Sequence, residues 1–340
     1  MERKKKIRLA DIAEKLHISV VTVSKAMAGK EGVGDELREK ILAVANEMGY
    51  EVKKDKKNSA ELAKAGTDNI GIVVPSRFMD RAASFYANMY NALSKELLAH
   101  GYYAVIEQLE NTAEERLELP QIIKNGKVDG VIFLGQVSQA YAKFITGTHS
   151  PFMFLDFYSD DENVDSVTTD NFYGEYVLTK HLIDLGHRDI RYVGTFGVTT
   201  SINDRFMGFL KAMLEHNLST SVADIIDDRD KNGVYKPIVL PKNIPTAFVC
   251  NCDEVAVTLI RTLHERGLRV PDDVSVVGFD DFVTSTQMSS KLTTVAVDFE
   301  AMARSAVDII IKKIAGLAYN TGRTVICCKP AYRESTRKIS

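Results

Sequence analysis

From residue 69 onward, short apolar runs alternate with stretches of helical periodicity, and that alternation leaves few folds open. Residues 70–74, 102–107, 130–134 and 152–155 read as strands. Between them, 84–100, 113–125 and 138–145 carry apolar residues three and four apart and read as helices. Strand–helix–strand units build parallel sheets buried on both faces, which is why the runs are apolar throughout. The pattern resumes with strands at 166–169, 190–193, 247–250 and 274–277 and helices at 174–185, 203–216 and 254–266. Two such sets exceed one compact layer, so the expectation is an α/β core of two parallel-sheet lobes. A strand at 293–297, a helix at 299–314 and a final strand pair around Val325 and Tyr332 cross back between them. The expected boundaries are 68–163 with 296–322 for the first lobe, and 164–295 with 323–340 for the second.

The first fifty residues follow a different rule. Leu9, Ile12, Ala13 and Leu16 fall on one helical face. His17, Ile18 and Ser19 make a tight turn, with Ser19 placed to cap the next helix. Val23, Ala26 and Met27 form the buried face of that second helix, leaving Val20, Val21 and Lys25 outward near its start. This is the spacing of a helix-turn-helix, whose second helix meets base edges in the major groove. A bland alternative is a helical hairpin used only for packing. The short turn, the Ser19 cap and the outward Thr22 and Ser24 hydroxyls favour DNA.

A third helix is expected over 35–48, with Leu37, Ile41, Leu42, Val44, Ala45 and Met48 on its apolar face and Gly49 ending it. Residues 1–57 hold 14 Lys/Arg against 10 Asp/Glu, although the whole 340-residue chain has a net charge of −3. A basic head on an acidic body suits a protein that presents one end to phosphates. The lysine-rich stretch that follows leaves two readings open. It is a solvated tether, or a linker (58–67) that orders only on DNA.

Other classes find little support. No apolar run approaches a membrane span, and no secretory signal follows the basic start, so a cytoplasmic location is expected. Cys250, Cys252, Cys327 and Cys328 fit neither a zinc site nor a disulfide framework, and no histidine pair has metal spacing; neither metal nor cofactor is expected. No phosphate-binding glycine loop or nucleophile elbow is present, which argues against an enzyme.

Several stretches together resemble the LacI/GalR family of bacterial transcription regulators, over essentially the whole chain. They are 9–13 (LADIA), 22–25 (TVSK), 70–75 (IGIVVP), 128–132 (VDGVI), 182–188 (LIDLGHR), 266–280 (RGLRVPDDVSVVGFD) and 292–295 (LTTV). The resemblance implies a three-helix DNA-binding head (1–57) and a homodimer on a pseudo-palindromic operator. It also implies a core (68–340) like periplasmic sugar-binding proteins, with a small-molecule effector, most simply a sugar or sugar derivative, between the lobes. By position, Val20, Val21 and Lys25 would face bases, Ser19, Thr22 and Ser24 would support packing and phosphate contact, and Leu62 would wedge into the minor groove. The chain departs from the family at Lys25 and Ala28, at 51–53 (EVK), at Ala60 in the hinge, and at Cys252, where an Asn is usual.

For the effector, Arg205 opens a helix with a planar fork suited to hydroxyls, a carboxylate or a phosphate. Asp280 follows a strand, where parallel sheets place ligands. The family resemblance puts both on the effector. Ser76, Phe85, Asp156, Asp170 and Asp253 are further cleft candidates, against salt bridging or packing as the plainer roles. His187 is expected to be structural. Two rivals to a ligand-controlled repressor stay open: control by a phosphoprotein corepressor, and a solute sensor without DNA function.

Overall fold

The computed structural model describes residues 9–27, 33–48, 66–79, 85–282 and 291–339. The chain divides into two compact units, Met1–Ala65 and Gly66–Ser340. In the first, helix α1 (Leu9–Leu16), α2 (Val20–Met27) and α3 (Asp35–Glu47) enclose a small core. Ile12, Ala13, Val23, Ala26, Val33, Ile41 and Ala45 are its buried members, with Leu9, Leu16, Ile18, Val44 and Met48 packed around them. Leu37, expected on that face, is exposed, and the side chains of Met27 and Leu42 lie outside the described residues. The α1–α2 turn passes through His17 at φ 54°. Ser19 Oγ then accepts from the Thr22 amide at 3.0 Å, so the sequence-expected cap is made.

The second unit holds two parallel sheets. Its first elements are β1 (Asn69–Pro75), α4 (Phe85–Ala99), β2 (Tyr103–Leu109), β3 (Gly130–Leu134), α5 (Gln139–Thr146), β4 (Phe152–Leu155) and β5 (Ser166–Thr169). There follow α6 (Asn171–Asp184), β6 (Ile190–Val193), α7 (Thr200–Glu215), β7 (Ala247–Cys250), α8 (Asp253–Glu265) and β8 (Ser275–Val277). The chain ends with β9 (Thr294–Ala296), α9 (Phe299–Ile314), β10 (Arg323–Ile326) and β11 (Lys329–Ala331). One sheet runs β10-β5-β4-β3-β1-β2, the other β6-β7-β8, and β11 pairs with β9 as an antiparallel ribbon. Central strands β1, β3 and β4 are buried almost throughout, as crossover helices on both faces demand. Each buried Val, Ile or Phe in such a strand is worth about 1.5–3 kcal/mol.

Three sequence expectations need correction. Strands β5 and β10 belong to the first sheet, not to the second lobe, because β5 pairs with β4 and β10 with β5. The chain therefore crosses between sheets after Thr169, not near 163. The expected pairing around Val325 and Tyr332 is likewise absent: β10 joins β5, β11 joins β9, and Tyr332 follows the last strand. The helix expected over 113–125 is two short turns, Asn111–Glu115 and Gln121–Lys124. Leu117 takes a left-handed φ of 55° between them, and Pro120, lacking an N–H, restarts the second.

Candidate ligand pocket and DNA-facing helix

In the head, the side chains left outside the core gather at the start of α2. Val20 and Val21 are 46% and 64% exposed, and Ser24 and Lys25 are also exposed. Ser19 and Thr22 are tied to each other by a 2.8 Å hydroxyl contact, so they shape the helix start that Val20, Val21 and Lys25 present. Leu62 lies outside the described residues.

In the core unit, residues from both sheets converge on one chamber. Asp156 follows β4 at φ 70° and Asp280 follows β8 at φ 110°. Non-glycine residues are rare there, and the strain is kept where surrounding contacts over-determine the turn. Both aspartates line the chamber, with Phe85 from α4 and Arg205 from α7. Thr199 caps α7 by accepting from the Ile202 amide, which fixes the helix that carries Arg205.

Arg205 is the keystone. Its Nε donates to Asn171 Oδ1 at 2.7 Å, Nη2 to Asp280 Oδ1 at 3.0 Å and Nη1 to the Asn251 carbonyl. The guanidinium also lies 3.7 Å from the centre of the Phe279 ring. Each of its three nitrogens thus makes one hydrogen bond within the protein, using three of the five N–H groups of the guanidinium. Burial pushes the Asp280 carboxyl up to about 6 despite the Arg205 charge. Burial likewise pushes Asp156 up to about 7, Arg205 pulling it down and Asp280 pushing it further up. Tyr86 Oη donates to Asp156 Oδ2 at 3.5 Å.

The other candidates lie elsewhere. Ser76 Oγ faces Asn111 Oδ1 at 3.4 Å, outside the chamber. Asp170 caps α6, accepting from the Tyr173 amide at 3.1 Å. Asp253 is buried beneath β8 and β9 and accepts from Thr294 Oγ1 at 2.6 Å. His187 is buried between Thr246 Oγ1 (2.9 Å) and the Arg337 carbonyl (3.1 Å). Cys252 lines the chamber, and burial drives its thiol up to about 12. All four cysteines are free thiols, only Cys327 exposed.

Sequence reasoning missed a second buried guanidinium, Arg229. It donates to Asp228 Oδ2 through Nε (2.8 Å) and Nη2 (2.6 Å), reaches Asn251 Oδ1 at 3.2 Å, and lies 4.4 Å from the Tyr235 ring centre. It comes from a segment without periodicity, so nothing local announced it. Arg77, Phe78, Tyr86 and Phe282 complete the walls. The chamber holds about 80 Å³, whereas ligand pockets are usually ~300–1,000 Å³. A neighbouring cavity of about 590 Å³ shares Arg77, Phe78, Thr199 and Gly233 with it. Together they form one cleft with a narrow inner end. Among the described residues, no cluster of His, Cys, Asp and Glu is placed to hold a metal ion. No described helix is long and apolar enough to cross a membrane.

Comparison with known proteins bears on both units. Residues 8–52 match the family of bacterial regulatory proteins, lacI family, and 179–336 match the periplasmic binding protein-like domain. The chain belongs to the LacI family. Among curated members of the LacI family, the transcriptional repressor PurR of Glaesserella parasuis serovar 5 (strain SH0165) is 27% identical over 312 residues, 90% of this chain and 89% of PurR. The transcriptional regulator DegA of Bacillus subtilis (strain 168) is 28% identical over 307 residues, 87% of this chain and 88% of DegA. The same fold is found in the regulator CelR, solved with cellobiose (TM-score 0.68, 22% identity, 97% of this chain and 100% of that one). It is also found in the lac repressor dimer bound to operator and the anti-inducer ONPF (TM-score 0.64, 23% identity, 98% and 100%). As a LacI-family member the chain is a DNA-binding transcription regulator, and its relatives are regulators, not enzymes.

Proposed function

We propose that this regulator is a repressor that binds a pseudo-palindromic operator as a homodimer and is controlled by a small molecule held between its two sheets. The convergence of Asp156, Asp280 and Arg205 on one cleft, from opposite sheets, carries the reading. The PurR relatives are repressors, the lac repressor neighbour is a dimer on its operator, and CelR holds cellobiose. A sugar or sugar derivative is the effector class in keeping with these neighbours. A ligand that touches both sheets changes how they close, and can thereby shift the DNA-binding equilibrium. In this reading Val20, Val21 and Lys25 meet bases and Leu62 wedges into the minor groove at the operator centre.

The test pairs operator binding with ligand response in the full chain. Asp156→Ala is expected to abolish the response of operator affinity to whichever metabolite stabilises the protein, with basal operator binding kept. Arg205 is a poor probe, because its loss strands Asp280 and Asn171 in the core. An intact response in Asp156→Ala removes the cleft from the mechanism. Absence of any preference for palindromic over random duplex removes the repressor reading altogether.

A further inference from the structure

The charges around the inner chamber do not balance. Arg77 is held by Glu114 at 2.6 Å, Arg205 by Asp280 at 3.0 Å and Arg229 by Asp228 at 2.6 Å. The acids Asp156 and Glu254 line the same chamber, and among the described residues no ion pair to either is formed. A carboxylate withdrawn from water without a cation is costly, so a ligand that supplies the cation gains what the protein leaves open.

The walls next to Asp156 are aromatic. Tyr86 sits 5.1 Å from Phe78 and 5.1 Å edge-on from Phe85, ring centre to ring centre, and its hydroxyl points at Asp156. Ring faces attract an organic cation within about 6 Å. The Phe78 ring already carries the Arg77 guanidinium, 5.0 Å from its centre, so it is the Tyr86 and Phe85 rings, closed by the Asp156 carboxylate, that are complementary to an ammonium group. A phosphate or carboxylate would meet Asp156, and the guanidinium groups of Arg77, Arg205 and Arg229 are each already paired with an acid. The size agrees: this inner end, about 80 Å³, is far smaller than the adjoining cavity of about 590 Å³, so it suits a small head group while the rest of a ligand lies outside it.

We propose that the effector enters this cleft with a protonated amine leading, the ammonium seated between the Asp156 carboxylate and the Tyr86–Phe85 corner. The body of the ligand then occupies the wider cavity. The proposal rests on the cleft being the effector site, and it narrows the class to small polar amines, amino sugars among them. Seating the ammonium returns Asp156 to its charged form. Burial raises the pKa of that carboxyl, so where it is partly protonated binding releases protons. Arg205, Asp280 and Tyr86 are the groups facing that carboxyl, and none is displaced.

The experiment is calorimetry on the full chain with D-glucosamine and 2-phenylethylamine, each against its neutral counterpart, D-glucose and 2-phenylethanol. At least one amine is expected to bind about tenfold or more tighter than its counterpart, the scale of a hydrogen bond to a charged group. Its apparent heat is expected to change with buffer ionisation enthalpy, reporting proton release. Asp156→Asn is expected to erase both the preference and the proton release. A neutral probe that binds as tightly as its amine, or no amine binding at all, overturns the proposal. Ser201→Trp, which fills the chamber, separates the two levels: binding that persists there overturns the cleft reading as well.

Discussion

Gln136 and Thr200 join the two sheets. The Gln136 side-chain carbonyl, on the loop after β3, accepts from the Thr200 amide at 3.0 Å and from its hydroxyl at 3.1 Å. Thr200 is the first residue of α7, the helix that carries Arg205. Gln136 is itself held, because Arg77 at the end of β1 donates to its backbone carbonyl. A group bound against Arg77 or Arg205 therefore acts on both ends of this tie. Gln136→Ala frees the α7 terminus at a net cost of about 0.5–1.5 kcal/mol per hydrogen bond. The expected outcome is faster hydrogen exchange at the Thr200 amide and a three- to tenfold weaker effector affinity, roughly 1 kcal/mol, with the melting temperature changed by only a few degrees. Unchanged exchange at Thr200 would show that the tie does not restrain the cleft.

Glu175, on α6, is fully buried, and neither of its carboxylate oxygens has a hydrogen-bond partner among the described residues. Burial, first of all, raises its pKa well above the ordinary value, with Arg205 opposing and Asp280 and Asp253 adding. The folded pKa is raised, so the contribution to stability is fully present below the unfolded value of about 4.3 and is lost as pH rises through the folded one. Glu175→Gln removes the titration while keeping the shape. Thermal melts at pH 5 and pH 8.5 are expected to converge for the variant relative to the parent. Glu175→Leu is expected to stabilise by about 1–3 kcal/mol at the higher pH, the cost of an unsatisfied buried polar group.

Gly208 lets α6 and α7 touch. A Cβ there would stand 2.1 Å from the Phe172 carbonyl oxygen and 3.0 Å from the Tyr176 amide nitrogen, both backbone atoms that cannot step aside. Overpacking of this kind costs about 1–3 kcal/mol. Gly208→Ala is expected to lower the denaturation midpoint of the core in urea. Operator binding at low temperature would remain near normal.

Much of this was legible locally, and the reason it stops is physical. Helix periodicity located α1 and α2, and Ser19 announced its own cap. Apolar runs located β1, β3 and β4 because parallel strands are buried on both faces. Sheet membership is not local: β5 joins the first sheet through its pairing with β4 and β10, which nothing in the sequence of 166–169 encodes. Asp156, Asp170, Asp253 and Asp280 are the same residue at similar strand or helix ends, yet Asp170 is spent on the Tyr173 amide and Asp253 on Thr294. Only Asp156 and Asp280 are turned inward by a left-handed backbone. Arg229 and Tyr235 come from a long irregular segment whose position depends on contacts with Asp228 and Asn251, so its pattern carries no signal.

The start of α2 offers two kinds of side chain, and they separate in a salt titration. Lys25 is an exposed point charge, suited to a phosphate or to a single acceptor on a base edge. Val21, at 64% exposed, has no hydrogen-bonding group, so if it meets a base it has only a thymine methyl or the local shape of the groove to read. If Lys25 meets phosphate, Lys25→Gln weakens binding to specific and random duplex alike. The slope of log affinity against log salt then falls by about 0.9 for the single phosphate that is no longer neutralised. Val21→Ala leaves that slope unchanged. It is expected to cost about 1–3 kcal/mol on the preferred half-site only, the scale of one mismatched base pair. Measuring both variants across a salt series on operator and random duplex decides between the roles. A Lys25→Gln loss confined to the operator, with the slope intact, would move Lys25 from the phosphates to a base.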